Sequence, residues 1–168
     1  MSKASGTPRS LRVAVLTYSN RRTPADDGTG DLIRAQLVAS GHRIGASAIC
    51  HGEAPVMREF LRGWLADPAI DVVISNGGTG ITDCMPQAAA ALVDHDIPGF
   101  APLFQVLSLQ DLGSSSMLSR ASAGLAGAKL LFLLPGSETG RRLPMRRLVI
   151  PRPAPPPPPR RPPGVRAP

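Results

Sequence analysis

Three short apolar runs constrain the fold of this chain more than any other feature of its sequence. They occupy residues 11–17, 71–75 and 129–134, and valine, isoleucine and leucine fill most of each run. A short run without polar alternation is typical of a strand that is buried on both faces. Such strands pair in parallel sheets that carry helices on both sides, which favours an α/β fold.

Helical periodicity fills the intervals between these runs. The spacing predicts a second strand over residues 43–49 and helices over 31–40, 55–66 and 86–94. Another helix is expected to begin near Met117 and to include residues 119–123. The second helix should bury one face, made of Val56, Phe60, Leu61, Trp64 and Leu65. The alternation predicts an α/β sandwich with a mostly parallel sheet.

Charge is distributed unevenly along the 168 residues. Residues 1–140 hold 11 Lys and Arg against 12 Asp and Glu, whereas residues 141–168 hold eight Arg and no acid. The net charge of +7 therefore comes from the tail, and the near-neutral body argues against nucleic-acid binding. We predict a flexible N-terminus over 1–10, one folded domain over 11–140, and an atypical, disordered Arg/Pro-rich tail over 141–168.

The remaining composition bears on the cellular setting. Cys50 and Cys84 have neither C-x-x-C spacing nor a His/Cys cluster, which gives no support to a zinc site and favours a reduced chain. Neither the polar N-terminal segment nor any later stretch has the apolar length of a signal peptide or a membrane span. We expect a cytoplasmic protein that contacts no membrane.

A glycine-rich loop, Asn76-Gly77-Gly78-Thr79-Gly80, directly follows the second apolar run. Glycine loses much conformational entropy on folding, so a cluster of glycines indicates a positive φ or a close approach to another group. Successive glycine N–H groups can form an anion-binding nest. The spacing matches neither the dinucleotide-binding motif nor the P-loop, and a tight turn without a ligand stays an alternative.

Three polar loops follow predicted strands, over residues 18–30, 76–83 and 135–137. Parallel strands would bring these loops to one edge of the sheet, where α/β proteins bind ligands. The loops contain three carboxylates that are candidates for Mg²⁺ coordination beside a nucleotide, and helix capping is the alternative for each: Asp26, Asp27 and Asp83.

A hydroxyl-rich segment with one cation comprises Ser114, Ser115, Ser116, Ser119 and Arg120. It suits a second phosphate or a polar heterocycle, and a plain helix N-cap beside a surface arginine is the alternative. The histidines stand in unrelated contexts and no serine has a G-x-S-x-G setting, so neither a histidine metal site nor a serine nucleophile is predicted.

Seven motifs in sequence order resemble the MoaB/MogA family of molybdenum cofactor biosynthesis proteins and molybdopterin adenylyltransferases. The resemblance covers residues 10–137, and two motifs have the form of the B-type proteins. The motifs are Leu16-Thr17-Tyr18-Ser19-Asn20-Arg21-Arg22, Asp26-Asp27-Gly28-Thr29-Gly30, Asn76-Gly77-Gly78-Thr79-Gly80, Pro98-Gly99-Phe100 with Leu103-Phe104 and Leu107-Ser108, Gly113-Ser114-Ser115, Ser119-Arg120-Ala121-Ser122-Ala123-Gly124, and Leu134-Pro135-Gly136-Ser137.

This resemblance implies a three-layer α/β/α sandwich that assembles as trimers, or as hexamers built from them. It implies molybdopterin binding and transfer of adenylate from Mg-ATP to the terminal phosphate of molybdopterin, with release of pyrophosphate. No haem, flavin or zinc is expected, and other molybdenum cofactor biosynthesis proteins are candidate partners. The implied site residues are Asp27 and Asp83 for catalysis and Mg²⁺, Asn76, Gly77, Gly78, Thr79 and Gly80 for the nucleotide phosphates, Ser114, Ser115, Ser119 and Arg120 for the pterin phosphate, and the turn Pro135, Gly136 and Ser137.

The chain departs from the family pattern at three places. The segment after Gly80 is two residues shorter, Gly52 stands where active members often carry an acid, and Pro144 falls inside an expected final helix, which it would disrupt. These departures leave open a non-catalytic molybdopterin carrier or assembly subunit. The tail is then either a proline-rich extension that recruits a partner or the product of a shifted reading frame.

Overall fold

The computed structural model describes residues 9–137 and 145–150. The strands are β1 (Arg12–Tyr18), β2 (Arg43–Cys50), β3 (Val72–Asn76), β4 (His95–Asp96), β5 (Ser122–Ala126) and β6 (Lys129–Leu134). The helices are α1 (Gly28–Ala39), α2 (Ala54–Ala66), α3 (Met85–Ala90) and α4 (Phe100–Leu112), with a 3₁₀ turn at Gly113–Leu118 and a π-helical turn at Met145–Val149. None of the helices in these two ranges is long and apolar enough to cross a bilayer.

The six strands form one sheet in the order β2-β1-β3-β6-β5-β4. Strands β2, β1, β3 and β6 are parallel, whereas β5 is antiparallel to both of its neighbours. The predicted α/β fold with a mostly parallel sheet is confirmed. Because β2 lies on one side of β1 and β3 on the other, the chain changes direction across the sheet at β1, and such a switch point is where α/β sheets bind ligands.

Both faces of the sheet are covered by apolar side chains. Successive residues of a strand point to opposite faces, so Val13 and Val15 of β1 pack with α1 and α4, while Ala14 and Leu16 pack with α2 and α3. All four are fully buried. Strands β3 and β6 alternate in the same way, so the three apolar runs are the central strands of a three-layer sandwich.

The buried face of α2 agrees with the prediction in part. Met57 and Leu61 are fully buried, whereas Val56 and Phe60 are 47% and 36% exposed. The Phe60 ring packs edge-on against Trp64, with 6.0 Å between ring centroids. Trp64 and Leu65 are half-buried and pack against the same core as Leu61. Three of the five predicted residues therefore face the core, and Val56 and Phe60 are the two that do not.

The predicted helix that begins near Met117 is wrong. That segment ends the 3₁₀ turn, and Ser122–Ala126 is strand β5, which pairs with β6 through a turn at Gly127, where φ is +59°. Alanine favours a helix by propensity, but pairing along β6 overrides that weak preference. The long helix α4 was not predicted; its residues Phe100, Phe104 and Ser108 are buried against the sheet.

The π-helical turn extends the packed structure beyond residue 140. Met145 and Val149 are buried in the same apolar layer as α1 and α4, so these residues differ from the expectation of a disordered tail. Two apolar side chains four residues apart can cover one side of a single turn in spite of the preceding proline. Residues 141–144 and 151–168 of the expected tail, and most of the N-terminus 1–10, lie outside the described residues. The division of the chain at residues 10 and 140 stays a prediction.

Candidate functional site

A polar cleft of about 320 Å³ opens at the carboxyl ends of β1, β3 and β6. The three predicted polar loops meet there, as expected for parallel strands. The cleft is lined by Thr17, Tyr18, Ser19, Arg22, Thr29, Asn76, Gly77, Gly78, Thr79, Gly80, Asp83, Pro135, Gly136 and Ser137. Of the fourteen site residues that the resemblance implies, nine are in this lining. The five that are not are Asp27, Ser114, Ser115, Ser119 and Arg120, and the candidates Asp26 and Ser116 are likewise absent from it.

Buried polar side chains beneath the cleft form one hydrogen-bond network. Asn76, at the end of β3, donates from Nδ2 to Thr17 Oγ1 at 2.8 Å and to the Leu16 carbonyl at 3.2 Å. Its Oδ1 accepts from Thr29 Oγ1 at 3.0 Å, and Thr17 Oγ1 donates to Asp27 Oδ2 at 3.0 Å. An unpaired buried polar group costs about 1–3 kcal/mol, so this network holds β1, β3 and the start of α1 in one arrangement.

Asp27 is the N-cap of α1 and is 1% exposed. Its Oδ1 accepts from the Gly30 N–H at 3.0 Å, and its Oδ2 pairs with Arg34 Nη1 at 3.2 Å. The structure thus uses this carboxylate for the capping role that the sequence left open. Its part in holding Mg²⁺ stays a prediction, and over residues 9–137 and 145–150 no group of three or more His, Cys, Asp or Glu is placed to hold a metal ion.

The glycines of the loop after β3 are required by close approach to β1. Gly77 has φ +89°, and a Cβ there would lie 2.3 Å from the Tyr18 carbonyl oxygen. Gly78 has φ +66°, and a Cβ there would lie 2.5 Å from the Tyr18 ring. Neither position can accept a side chain without moving the cleft wall.

The backbone N–H groups of this loop are not all directed to a ligand. The Gly77 N–H donates to the Leu134 carbonyl at 2.9 Å, and the Gly80 N–H donates to Asp83 Oδ2 at 2.7 Å. In the described part of the chain, the N–H groups of Gly78 and Thr79 have no such acceptor. The anion-binding donors predicted at Gly77 and Gly80 are therefore used within the protein. Gly78 and Thr79, whose N–H groups keep no acceptor among the described residues, belong to the cleft lining.

The predicted hydroxyl-rich segment lies apart from the cleft lining. Ser114 and Ser115 are exposed on the 3₁₀ turn. Ser119 Oγ accepts from the Ala121 N–H at 3.3 Å. Arg120 points to the glycine-rich loop, where Nε and Nη2 donate to the Gly80 carbonyl at 3.1 and 2.8 Å. The expected pterin phosphate site at these residues stays a prediction.

Comparison with known proteins gives the chain its family. The family model described as "Probable molybdopterin binding domain" matches residues 14–154. Molybdenum cofactor biosynthesis protein B of Bacillus cereus is 38% identical over 147 residues, which are 86% of this chain and 87% of that protein. The chain belongs to the MoaB family of molybdenum cofactor biosynthesis proteins.

Solved structures of MoaB proteins share the fold. A crystal structure of molybdenum cofactor biosynthesis protein B superposes with a TM-score of 0.83 at 38% identity, covering 87% of this chain and 92% of that one. The molybdopterin biosynthesis enzyme MoaB of Thermus thermophilus gives a TM-score of 0.70 at 31% identity, covering 84% and 90%. The resemblance and the fold predicted from the motifs are confirmed.

Five residues that line the cleft of this MoaB protein were not predicted as site residues: Thr17, Tyr18, Ser19, Arg22 and Thr29. Thr17, Tyr18 and Ser19 stand at the end of β1 or directly after it, within a motif that already carried the family resemblance. Their position at the carboxyl end of a strand was the signal that could have identified them. Arg22 is the cation of the set, and its Nη1 donates to Thr29 Oγ1. An anchored guanidinium beside a glycine-rich loop suits a phosphate group.

Tyr18 forms the wall of the cleft nearest to β2. Its hydroxyl donates to the Gly52 carbonyl at 3.0 Å and accepts from Asn20 Nδ2 at 3.4 Å. Burial raises the pKa of Tyr18, and the neighbouring Cys84 raises it further. Burial likewise raises the pKa of the Cys50 thiol, again with a contribution from Cys84. These groups are therefore held in their neutral forms at neutral pH.

We predict that Tyr18, the one tyrosine of the chain, ionises in the folded protein above its ordinary pKa of about 10. Since the folded-state pKa is raised, this group contributes stability that is present below the unfolded-state pKa and is lost as the pH rises toward the folded value. Absorbance of tyrosinate during an alkaline titration measures the midpoint, and Cys84→Ala should lower it. A midpoint equal to that of the urea-unfolded chain would contradict the prediction.

We predict that Gly77→Ala destabilises the protein more than Gly41→Ala. Both glycines have a positive φ, +89° and +86°, but a Cβ at Gly41 would have nothing within 4 Å. Each change costs about 1–2 kcal/mol for the left-handed backbone, and Gly77→Ala adds about 1–3 kcal/mol because the backbone must shift. Urea unfolding measures both variants, and equal losses would show that the contact with Tyr18 is not a constraint.

Proposed function

We propose that this MoaB protein binds molybdopterin at the cleft and transfers adenylate from Mg-ATP to its terminal phosphate, releasing pyrophosphate. The observation that carries the proposal is the combination of groups lining one cavity at the switch point of the sheet. They come from Gly78 and Thr79, whose N–H groups have no acceptor among the described residues, from the cation Arg22 and from the acid Asp83. Donors, a cation and a metal-binding carboxylate are what a site for nucleotide phosphates needs.

The proposed reaction requires alignment and charge stabilisation, and it requires no nucleophile from the protein. An oxygen of the molybdopterin phosphate attacks the α-phosphorus of ATP in line, and pyrophosphate leaves with the bonding electron pair. Holding the molybdopterin phosphate next to the α-phosphate of ATP in this alignment removes much of the entropic barrier to the reaction. In this chain, Arg22 and the N–H groups of Gly78 and Thr79 would bind and orient the phosphates.

Asp83 fits the role of a Mg²⁺ ligand. Its Oδ2 accepts from the Gly80 N–H, which orients the carboxylate at the cleft. Mg²⁺ is usually held by one or two carboxylates together with substrate phosphates, so one cleft carboxylate beside a phosphate-binding loop is a suitable donor set. When bound, the ion would neutralise charge on the phosphates. Asp27 would act on the site through Thr17 and the N-cap, and direct coordination by it stays a prediction.

A second candidate is a non-catalytic carrier or assembly subunit that binds molybdopterin. It is favoured by Gly52, which has φ +97° and therefore disfavours any acid at this position. The backbone of Gly52 is tied to the cleft wall, since its N–H donates to Asn20 Oδ1 at 2.9 Å and its carbonyl accepts from Tyr18. At this position the Gly52 backbone contacts the cleft wall, and there is no acidic side chain that could act in the reaction.

The proposed setting is the cytoplasm, where other molybdenum cofactor biosynthesis proteins would supply molybdopterin and take up the product. We also propose that the chain assembles as a trimer or hexamer through one apolar surface. This surface is formed by residues of α4 and the 3₁₀ turn that are 53–71% exposed: Leu103, Val106, Leu109, Met117 and Leu118. Exposed apolar side chains that recur every three residues along α4 suit an interaction site, and a second copy of the chain would cover them.

Asp83→Asn should lower pyrophosphate release from Mg-ATP and molybdopterin by about 100-fold or more, because metal-based charge stabilisation contributes several kcal/mol. The amide can still accept from Gly80, so molybdopterin binding should persist. Asp94→Asn is the matched control: this exposed carboxylate accepts from the Gly127 N–H at 2.6 Å, and its loss should leave turnover unchanged.

The outcomes separate the two candidate functions. Wild-type protein that binds molybdopterin and releases no pyrophosphate is the carrier. Unchanged turnover in Asp83→Asn removes this carboxylate from the metal site, and absence of molybdopterin binding by the wild type contradicts both candidates.

Val106→Glu should reduce the oligomer to smaller species, because it places a charge in the centre of the proposed interface. Val38→Glu on α1 is the control, since Val38 is exposed to a similar extent, 58% against 62% for Val106. Light scattering of the full chain measures the mass of each variant. A wild-type monomer, or equal masses for Val106→Glu and the wild type, would contradict an assembly through this surface.

A further inference from the structure

We propose that Arg120 is a positioning residue, which holds the loop of Gly78–Asp83 against the cleft through backbone carbonyls and binds no phosphate itself. The proposal rests on the function proposed above in one respect: the loop that Arg120 holds is the one that would bind the nucleotide phosphates. It differs from the role expected from the sequence, in which Arg120 belonged to the site of the pterin phosphate.

The topology places Arg120 at the ligand edge of the sheet. Strand β5 is antiparallel to β6, so the residues that precede β5 lie at the carboxyl end of β6, where Ser122 pairs with Leu133. The loop after β3 leans over the same end, because the Gly77 N–H donates to the Leu134 carbonyl. Arg120 can therefore reach from one side of β6 to the loop on the other.

The hydrogen bonds of Arg120 are directed to that loop. Its backbone N–H donates to the Thr79 carbonyl at 2.9 Å. Its Nε and Nη2 donate to the Gly80 carbonyl at 3.1 and 2.8 Å, and Nη2 also donates to the Asp83 carbonyl. When the Gln87 amide is oriented with its oxygen toward Arg120, it completes the contact, accepting from Nη1 at 2.8 Å and donating to the Asp83 carbonyl at 3.1 Å.

Donor accounting excludes a phosphate fork at Arg120. A guanidinium has five N–H donors in a fixed plane, and four of them are directed to Gly80, Asp83 and Gln87. One donor is left, so the two-point recognition that makes arginine suited to phosphate is not available. In the described part of the chain Arg120 also has no carboxylate partner. Its charged donors therefore bind neutral carbonyls, and hydrogen bonds with one charged partner are stronger than those between two neutral groups.

The hydrogen bonds from Arg120 to the loop form a clamp, which acts on two parts of the loop, the turn between Gly80 and Asp83 and the residue Thr79. The bonds to Gly80 and Asp83 span the turn that Asp83 closes by accepting from the Gly80 N–H. That turn orients the carboxylate proposed for Mg²⁺, and the bond from Arg120 to the Thr79 carbonyl fixes the adjoining residue Thr79, which belongs to the cleft lining. Loss of the clamp should therefore loosen the loop while the strands stay in place.

Amide hydrogen exchange by NMR on the unliganded full chain tests the proposal without reference to turnover. Arg120→Met should accelerate exchange of the Gly80, Asp83 and Met85 amides about tenfold or more, because these donors are bonded within the loop. The central amides of β1 should change less than about twofold. Arg62→Met is the control, since Arg62 is an exposed arginine paired with Glu59.

Arg120→Lys separates positioning from charge. Lysine binds phosphate as a point charge but cannot reproduce the planar fork to two carbonyls. The positioning role therefore predicts that Arg120→Lys accelerates exchange and lowers pyrophosphate release as much as Arg120→Met does, within about threefold. Recovery of wild-type behaviour by Arg120→Lys would overturn the proposal in favour of a charge that seats a phosphate.

Two further outcomes are decisive. Unchanged exchange at Gly80 and Asp83 in Arg120→Met overturns the proposal whatever the activity. Accelerated exchange in Arg120→Met, together with a wild type that releases no pyrophosphate, supports the positioning role and refutes the proposed reaction. If Arg120→Met does not fold, Gln87→Leu carries the test, because it removes one contact of the clamp from an exposed side chain. It should then accelerate the same amides to a smaller extent, and no acceleration there would overturn the proposal.

Discussion

The hydrogen bonds of the buried Asn76 side chain are the interaction on which the rest of the cleft depends. This one carboxamide donates to Thr17 at the end of β1 and accepts from Thr29 in the first turn of α1. Through Thr17 it reaches Asp27, whose carboxylate caps α1 and pairs with Arg34. Because Asn76, Thr17, Thr29 and Asp27 are buried and paired, any displacement of one strand end would leave several polar groups unpaired.

The glycine-rich loop takes its shape from this foundation. With β1 and β3 held side by side, the backbone at Gly77 passes so close to the Tyr18 carbonyl that no side chain fits. Two N–H groups of the loop are then bonded within the protein: that of Gly77 to the Leu134 carbonyl of β6, and that of Gly80 to the Asp83 side chain. In this loop Gly78 and Thr79 keep N–H groups that have no acceptor among the described residues, and Arg120, on the far side of β6, is bonded to the carbonyls of Thr79 and Gly80. A ligand therefore meets a backbone whose conformation is already set.

Several features of this site could be predicted from the sequence. The apolar runs identified β1, β3 and β6, and parallel pairing brought their loops to one edge. Motif order then indicated the MoaB family. Prediction failed where one residue type serves two purposes. The alanines at 121, 123 and 126 suit a helix or a strand, and only pairing with the edge of β6 decides that this segment is a strand. Asp27 suits a metal or a helix cap, and the nearby Gly30 N–H and Arg34 decide its partners.

By itself the sequence determined the class of fold, its family and the region that forms the cleft, because burial pattern and turn chemistry are local properties of the chain. Tertiary structure alone decided which polar groups of the loop are bonded within the protein. Gly77 and Gly80 are equivalent to Gly78 as sequence letters, yet their N–H groups are bonded within the protein, because residues 83 and 134 lie beside them. The sequence likewise could not show which groups Arg120 contacts. The antiparallel pairing of β5 with β6 places Arg120 beside the loop. Hydrogen-bond partners depend on which segments the fold brings together, and that information is not contained in any one segment.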